Sequence, residues 1–119
     1  MSGDWIMALE VNGKVLDTDE EGFLLDPGEW NREVAEVIAR GEGLELNEPV
    51  WHVVSFVRDY YESNQSVPEA RTVLKAIGQK LGREKATRKF LYELFPYGYG
   101  QQACKIAGMR KPRKLMLDV

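Results

Sequence analysis

The residue types that could do chemistry gather near the end of the chain. Residues 94–114 hold the lone cysteine, Cys104, and five of the sixteen basic residues: Lys105, Arg110, Lys111, Arg113 and Lys114. The thiolate is the reactive form of cysteine, and neighbouring positive charge or a helix N-terminus lowers a thiol's pKa. Lys105 adjoins Cys104, which falls early in a short predicted helix. This spacing predicts a thiol below its free value of about 8.5, and so a reactive one. A second reading fits the same residues: a small buried hydrophobe between Ala103 and Ile106. Exposure separates the two, because a reactive thiol must meet solvent and a structural one is packed.

Other candidates are weaker. His52 has Ser55 three residues on but no third group to complete a triad, which leaves a surface or half-buried histidine. Gly98 and Gly100 lack the later glycine and preceding strand of a nucleotide fingerprint, so they read as a hinge. Asp19, Glu20 and Glu21 lie in a turn and read as solvated surface. One histidine and one cysteine are too few soft ligands for a zinc site, and no cofactor is implied.

The supporting chain has 119 residues, 44% hydrophobic and 29% charged, as expected of one globular domain. No apolar run approaches the ~20 residues a membrane helix needs, and no signal peptide opens the chain. A single cysteine makes no internal disulfide, which fits a reducing cytoplasm. The net charge of −3 is polarised: residues 1–70 carry 16 acids and 4 bases, whereas residues 71–119 carry 3 acids and 12 bases. Either the basic half meets an anionic partner, nucleic acid or protein, or the halves neutralise each other within the fold.

Asn12-Gly13 between residues 8–11 and 14–16 predicts a two-residue β-hairpin turn. Residues 22–25 could add a third short strand, and Asp26-Pro27-Gly28 punctuates the chain. A first helix is expected over residues 29–40, with Trp30, Val34, Val37 and Ile38 on one face and Gly41 closing it. Asn47 and Pro49 start a second helix, whose stripe of Val50, Val53, Val54, Val57, Tyr60 and Tyr61 runs to about Ser63. Ser66-Val67-Pro68-Glu69 matches a capping box for a third helix, which buries Val73, Leu74 and Ile77 and stops at Gly82. The second and third helices, with Arg71, Lys75 and Lys80, are also compatible with a helix-turn-helix DNA reader. A fourth helix spans residues 87–95, and a short fifth, residues 101–107, carries Cys104 to Gly108.

Taken in succession, Asp17-Thr18-Asp19-Glu20-Glu21-Gly22-Phe23-Leu24, Trp30, Phe56-Val57-Arg58-Asp59-Tyr60-Tyr61, Leu94-Phe95-Pro96 and Gln102-Ala103-Cys104-Lys105-Ile106-Ala107-Gly108-Met109-Arg110-Lys111-Pro112 resemble the DsrC/TusE family, over residues 8–114. The resemblance implies a mostly helical α+β fold, with an N-terminal β-hairpin on about five helices and a flexible C-terminal arm. The divisions would be a leader (1–7), a hairpin region (8–25), a helical core (26–95) and a cysteine-bearing arm (96–119). It also implies a cytoplasmic sulfur carrier. Its partners would be a donor complex and an acceptor, either a tRNA-thiolating enzyme or dissimilatory sulfite reductase. Cys104 would be the catalytic residue, with Lys105, Arg110, Lys111, Arg113 and Lys114 binding the partner. Leu115 stands where family carriers place a penultimate cysteine, so an arm with one thiol cannot close on itself. The alternative function is a non-catalytic binding or regulatory homologue, with direct DNA or tRNA contact through the second and third helices.

Overall fold

In the computed structural model, which describes residues 6–111, the chain opens on an antiparallel hairpin, β1 (Ile6–Val11) and β2 (Lys14–Asp19). Asn12 and Gly13 both take positive φ, 52° and 81°, as a two-residue turn matching strand twist requires. The register pairs Val11 with Lys14 and Leu9 with Leu16, placing Val11 and Leu16 in the core. The expected third strand shrinks to one bridge, Thr18 to Leu24. Asp26 accepts a hydrogen bond from Gly28 and starts a single 3-10 turn over Pro27–Glu29, so the chain leaves the sheet there.

The helices are α1 (Arg32–Gly41), α2 (Glu48–Asn64), α3 (Ala70–Leu81), α4 (Arg88–Leu94) and the single turn α5 (Cys104–Ile106), which continues a π-helical turn over Tyr99–Ala103. Their starts are chemical. Asn31, Asn47 and Thr87 each accept a backbone N–H through the side chain, satisfying donors left free at a helix N-terminus.

Three expected boundaries move. Trp30 precedes α1 rather than lying on it, because Asn31 supplies the cap. Gly41 stays helical, and Gly43 at φ 75° makes the stop, with Leu44 N–H donating to the Ala39 carbonyl. The Ser66–Glu69 capping box does not form: Glu69 occupies the cap position of α3 without a side-chain bond.

Val50, Val53, Val54 and Val57 of α2 meet Val73 and Ile77 of α3 in one core, which Leu16, Leu24, Ile38 and Phe95 complete. Residues 102–109 are all buried in that core. Residues 102–109 of the expected arm therefore belong to the core, because Ile106, Ala107 and Met109 fill apolar space, and Arg110 and Lys111 are exposed again. No helix among the described residues is long and apolar enough to cross a membrane.

Candidate functional site

Cys104 sits where the π-helical turn passes into α5, and its N–H donates to the Tyr99 carbonyl. Its side chain is wholly buried. Burial pushes the thiol up to about 12, and a hydrogen bond with the Tyr99 hydroxyl only partly offsets that rise. This overturns the expected depressed thiol. The short helix starts five residues earlier in the chain, at Tyr99, so Cys104 is not at its N-terminus. The Lys105 charge is also directed elsewhere: its ammonium donates to Glu42 at 2.8 Å and lies 5.1 Å from the Phe23 ring centre.

Three sets of contacts hold this segment in place. At its start, the Tyr99 hydroxyl donates to the Pro68 carbonyl at 2.6 Å, and the Tyr97 N–H donates to Gln102 Oε1 at 3.0 Å. In the middle, Glu42 accepts from both Gln102 Nε2 and Lys105 Nζ, at 3.3 and 2.8 Å. At the end, Trp30 Nε1 donates to the Ile106 carbonyl at 2.7 Å and Arg58 Nη1 donates to the Ala107 carbonyl at 3.3 Å. The last carbonyls of a helix lack partners within it, so these donors are a side-chain cap brought from two other elements.

The cap is itself built into a stack. Arg58 donates to Pro27 and Glu62, and its guanidinium lies 4.8 Å from the Trp30 ring and 5.8 Å from that of Tyr61. Trp30 lies parallel to Trp51 at 6.2 Å, and Arg32 covers the far face of this pair at 4.3 Å from Trp51. Gly108, at φ 78°, lets Met109 N–H donate to the Cys104 carbonyl. A Cβ there would fall 2.4 Å from Trp30 Cδ1, so glycine is required twice over.

The expected docking bases are dispersed. Lys105 is internal and committed to Glu42. Lys111 is exposed but bonded to Glu21, which holds its ammonium above the ordinary lysine value. Arg110 is exposed. Arg113 and Lys114 lie outside the described residues, as does Leu115. His52 is half-buried, with Nε2 3.5 Å from the Ala76 carbonyl, and Ser55 donates to the His52 backbone. That arrangement is structural.

Sequence reading missed Trp30, Glu42, Arg58, Tyr99 and Gln102. Arg58 carried a signal: a cation one turn from Val54 on a buried helix face calls for a buried acceptor. Glu42 carried none, because its partners lie 60 and 63 residues away.

The DsrC-like protein family model matches residues 10–116, nearly the whole chain. The protein belongs to the DsrC-like family. Sulfurtransferase TusE of Yersinia pestis is 45% identical over 106 residues, which cover 89% of this chain and 97% of that protein. Sulfurtransferase TusE of Escherichia coli K12 is likewise 45% identical, with the same coverage. Among solved structures, the NMR structure of DsrC from Allochromatium vinosum has a TM-score of 0.81 and 46% identity, covering 91% of this chain and 96% of that one. The oxidized gamma-subunit of the dissimilatory sulfite reductase (DsrC) from Archaeoglobus fulgidus has a TM-score of 0.83 and 38% identity, covering 90% and 97%. The DsrC-like fold thus accounts for the hairpin, the helices and the segment that carries Cys104.

Proposed function

We propose that this protein is a sulfur-relay component in which Cys104 carries sulfane sulfur as a persulfide. The supporting observation is full-length similarity to proteins named sulfurtransferase TusE and DsrC, together with a thiol held at the foot of the C-terminal arm. In loading, the Cys104 thiolate attacks the outer sulfur of a donor persulfide. The new S–S bond forms on Cys104, the donor S–S bond breaks, and the donor leaves as a thiolate that takes up the proton Cys104 lost. No net oxidation occurs. Unloading reverses these roles with an acceptor thiolate. With one thiol, the sulfur leaves only to another molecule.

The donor complex and the acceptor, a tRNA-thiolating enzyme or sulfite reductase, would be engaged by Arg110, Lys111, Arg113 and Lys114. Lys105 would join them once freed from Glu42. The single cysteine suits a cytoplasmic setting.

Because the thiol is closed, loading on this reading runs through a conformation in which residues 97–108 lift from the core. A second reading, in which the carrier fold serves through binding alone, has no support from the similar proteins. Intact-mass spectrometry after incubation with a persulfide donor tests both. Relay requires a reversible gain of one sulfur, about 32 Da, that Cys104→Ser abolishes. Absence of any gain, with or without the partner, leaves the binding reading.

A further inference from the structure

Arg83, Lys85, Arg88 and Lys89 fall within residues 83–89, where Glu84 is the one acid. All four bases are exposed. Among the described residues none of them lies within ion-pair distance of a carboxylate, whereas Arg32, Arg58, Arg71, Lys105 and Lys111 each do. Among the described residues the acidic half therefore makes no ion pair with this cluster, in which Lys85 lies 5.1 Å from the Phe90 ring centre. Arg88 and Tyr92 stand one turn apart on α4, and both line a cleft of about 190 Å³ whose walls include Leu91, Tyr97 and Tyr99. Tyr92 and Tyr97 are 60% and 77% exposed, two of the few large apolar side chains left in water.

Unpaired cations alone would suit any anion. The tyrosines narrow the choice, because an acidic protein face supplies carboxylates but nothing that must lie flat on an exposed ring. Nucleobases do so, at about 1–3 kcal/mol per stacked base, while their phosphates take the cations. We propose that this cleft, with the cationic stretch that leads into α4, binds single-stranded nucleic acid, with a base stacked on Tyr92 or Tyr97, a phosphate on Arg88 in the cleft wall, and further phosphates on Arg83, Lys85 and Lys89. The cleft adjoins the α2–α3 turn that the sequence suggested for duplex DNA, through Ala70 and the Tyr99 bond to Pro68, but takes its cations from the stretch before and at the start of α4. It is also independent of the relay reading, since Cys104 touches no nucleic acid in it.

Fluorescence anisotropy of the full chain with a labelled oligouridylate of about 12 nucleotides tests the assignment. With three or four phosphates neutralised, log K should fall against log salt with a slope of about −2 to −3. Tyr92→Ala should weaken binding at least about fivefold, and Tyr92→Phe should retain it, because the ring and not the hydroxyl stacks. Arg88→Glu should weaken binding and flatten the salt slope. Arg40→Glu, a base of the acidic half, and Cys104→Ser should bind as the parent does. Thermal melts of each variant establish that these exposed substitutions leave the fold intact. The proposal is overturned by no binding at about 50 mM salt, by a Tyr92→Ala variant that binds normally, or by equal loss on Arg40→Glu. Displacement by a glutamate-rich peptide at equal charge also overturns it, showing that the surface reads charge alone.

Discussion

Cys104 in the folded protein should be nearly inert toward a small alkylating reagent at about pH 8. Its thiol stands at about 12 against 9.0 for the free group, a difference of three units. The thiolate fraction at that pH is then on the order of 10⁻⁴ folded and 10⁻¹ unfolded, a ratio of about a thousand before steric closure is counted. The assay compares alkylation rates by intact mass in buffer and in denaturant. The same shift has a thermodynamic consequence. A folded pKa above the unfolded one gives stability that is fully present below pH 9.0 and is lost as pH rises toward about 12. The ceiling is about 4 kcal/mol, at 1.36 kcal/mol per unit. Cys104→Ala should flatten this alkaline loss relative to the parent in urea melts. A native alkylation rate within about tenfold of the denatured rate would refute the reasoning, because it would place an ionisable thiol in contact with solvent.

Gly108→Ala should lower stability by about 2–4 kcal/mol, through left-handed strain and displacement of the Trp30 ring, read as a fall in thermal midpoint. Trp30→Phe keeps the ring on Trp51 but removes the donor to the Ile106 carbonyl, so it should lose about 1–3 kcal/mol and speed Cys104 alkylation. Glu42→Gln leaves the Lys105 charge largely enclosed without its carboxylate, and should lose about 1–3 kcal/mol in chemical denaturation. Val54→Asp would bury an unpaired carboxylate at a site with no exposure, and should abolish cooperative melting.

Most of the fold was legible because its signals are local. Asn12-Gly13, Asn47, Thr87, Gly82 and Gly108 each act within four residues, and the α2 and α3 stripes state their own burial. The errors arose where two local signals competed. Gly41 was the expected stop although Gly43, two residues on, takes the positive φ, and Ser66 offered a cap that the backbone did not use. The site was less legible for a different reason. Cys104 has Lys105 beside it in sequence, yet the ammonium belongs to Glu42, and the carbonyls that follow belong to Trp30 and Arg58. Those contacts depend on how α1, α2 and α5 meet. Spacing along one segment cannot report them.

The closed thiol bears on how any relay through Cys104 must run. Five side-chain hydrogen bonds pin the segment to the core: Tyr99 to Pro68, Gln102 and Lys105 to Glu42, Trp30 to Ile106, and Arg58 to Ala107. At about 1 kcal/mol net each, opening costs roughly 5 kcal/mol before any apolar exposure, so the open population is on the order of 10⁻⁴ or less. A donor meeting the free protein would find almost no reactive thiol. A partner that binds the open form must prefer it by at least that margin to make it dominant. The cap groups set the margin, so weakening them should raise spontaneous loading and reduce dependence on the partner in the same proportion. A Trp30→Phe variant that opened more readily yet loaded no faster without its partner would break that link.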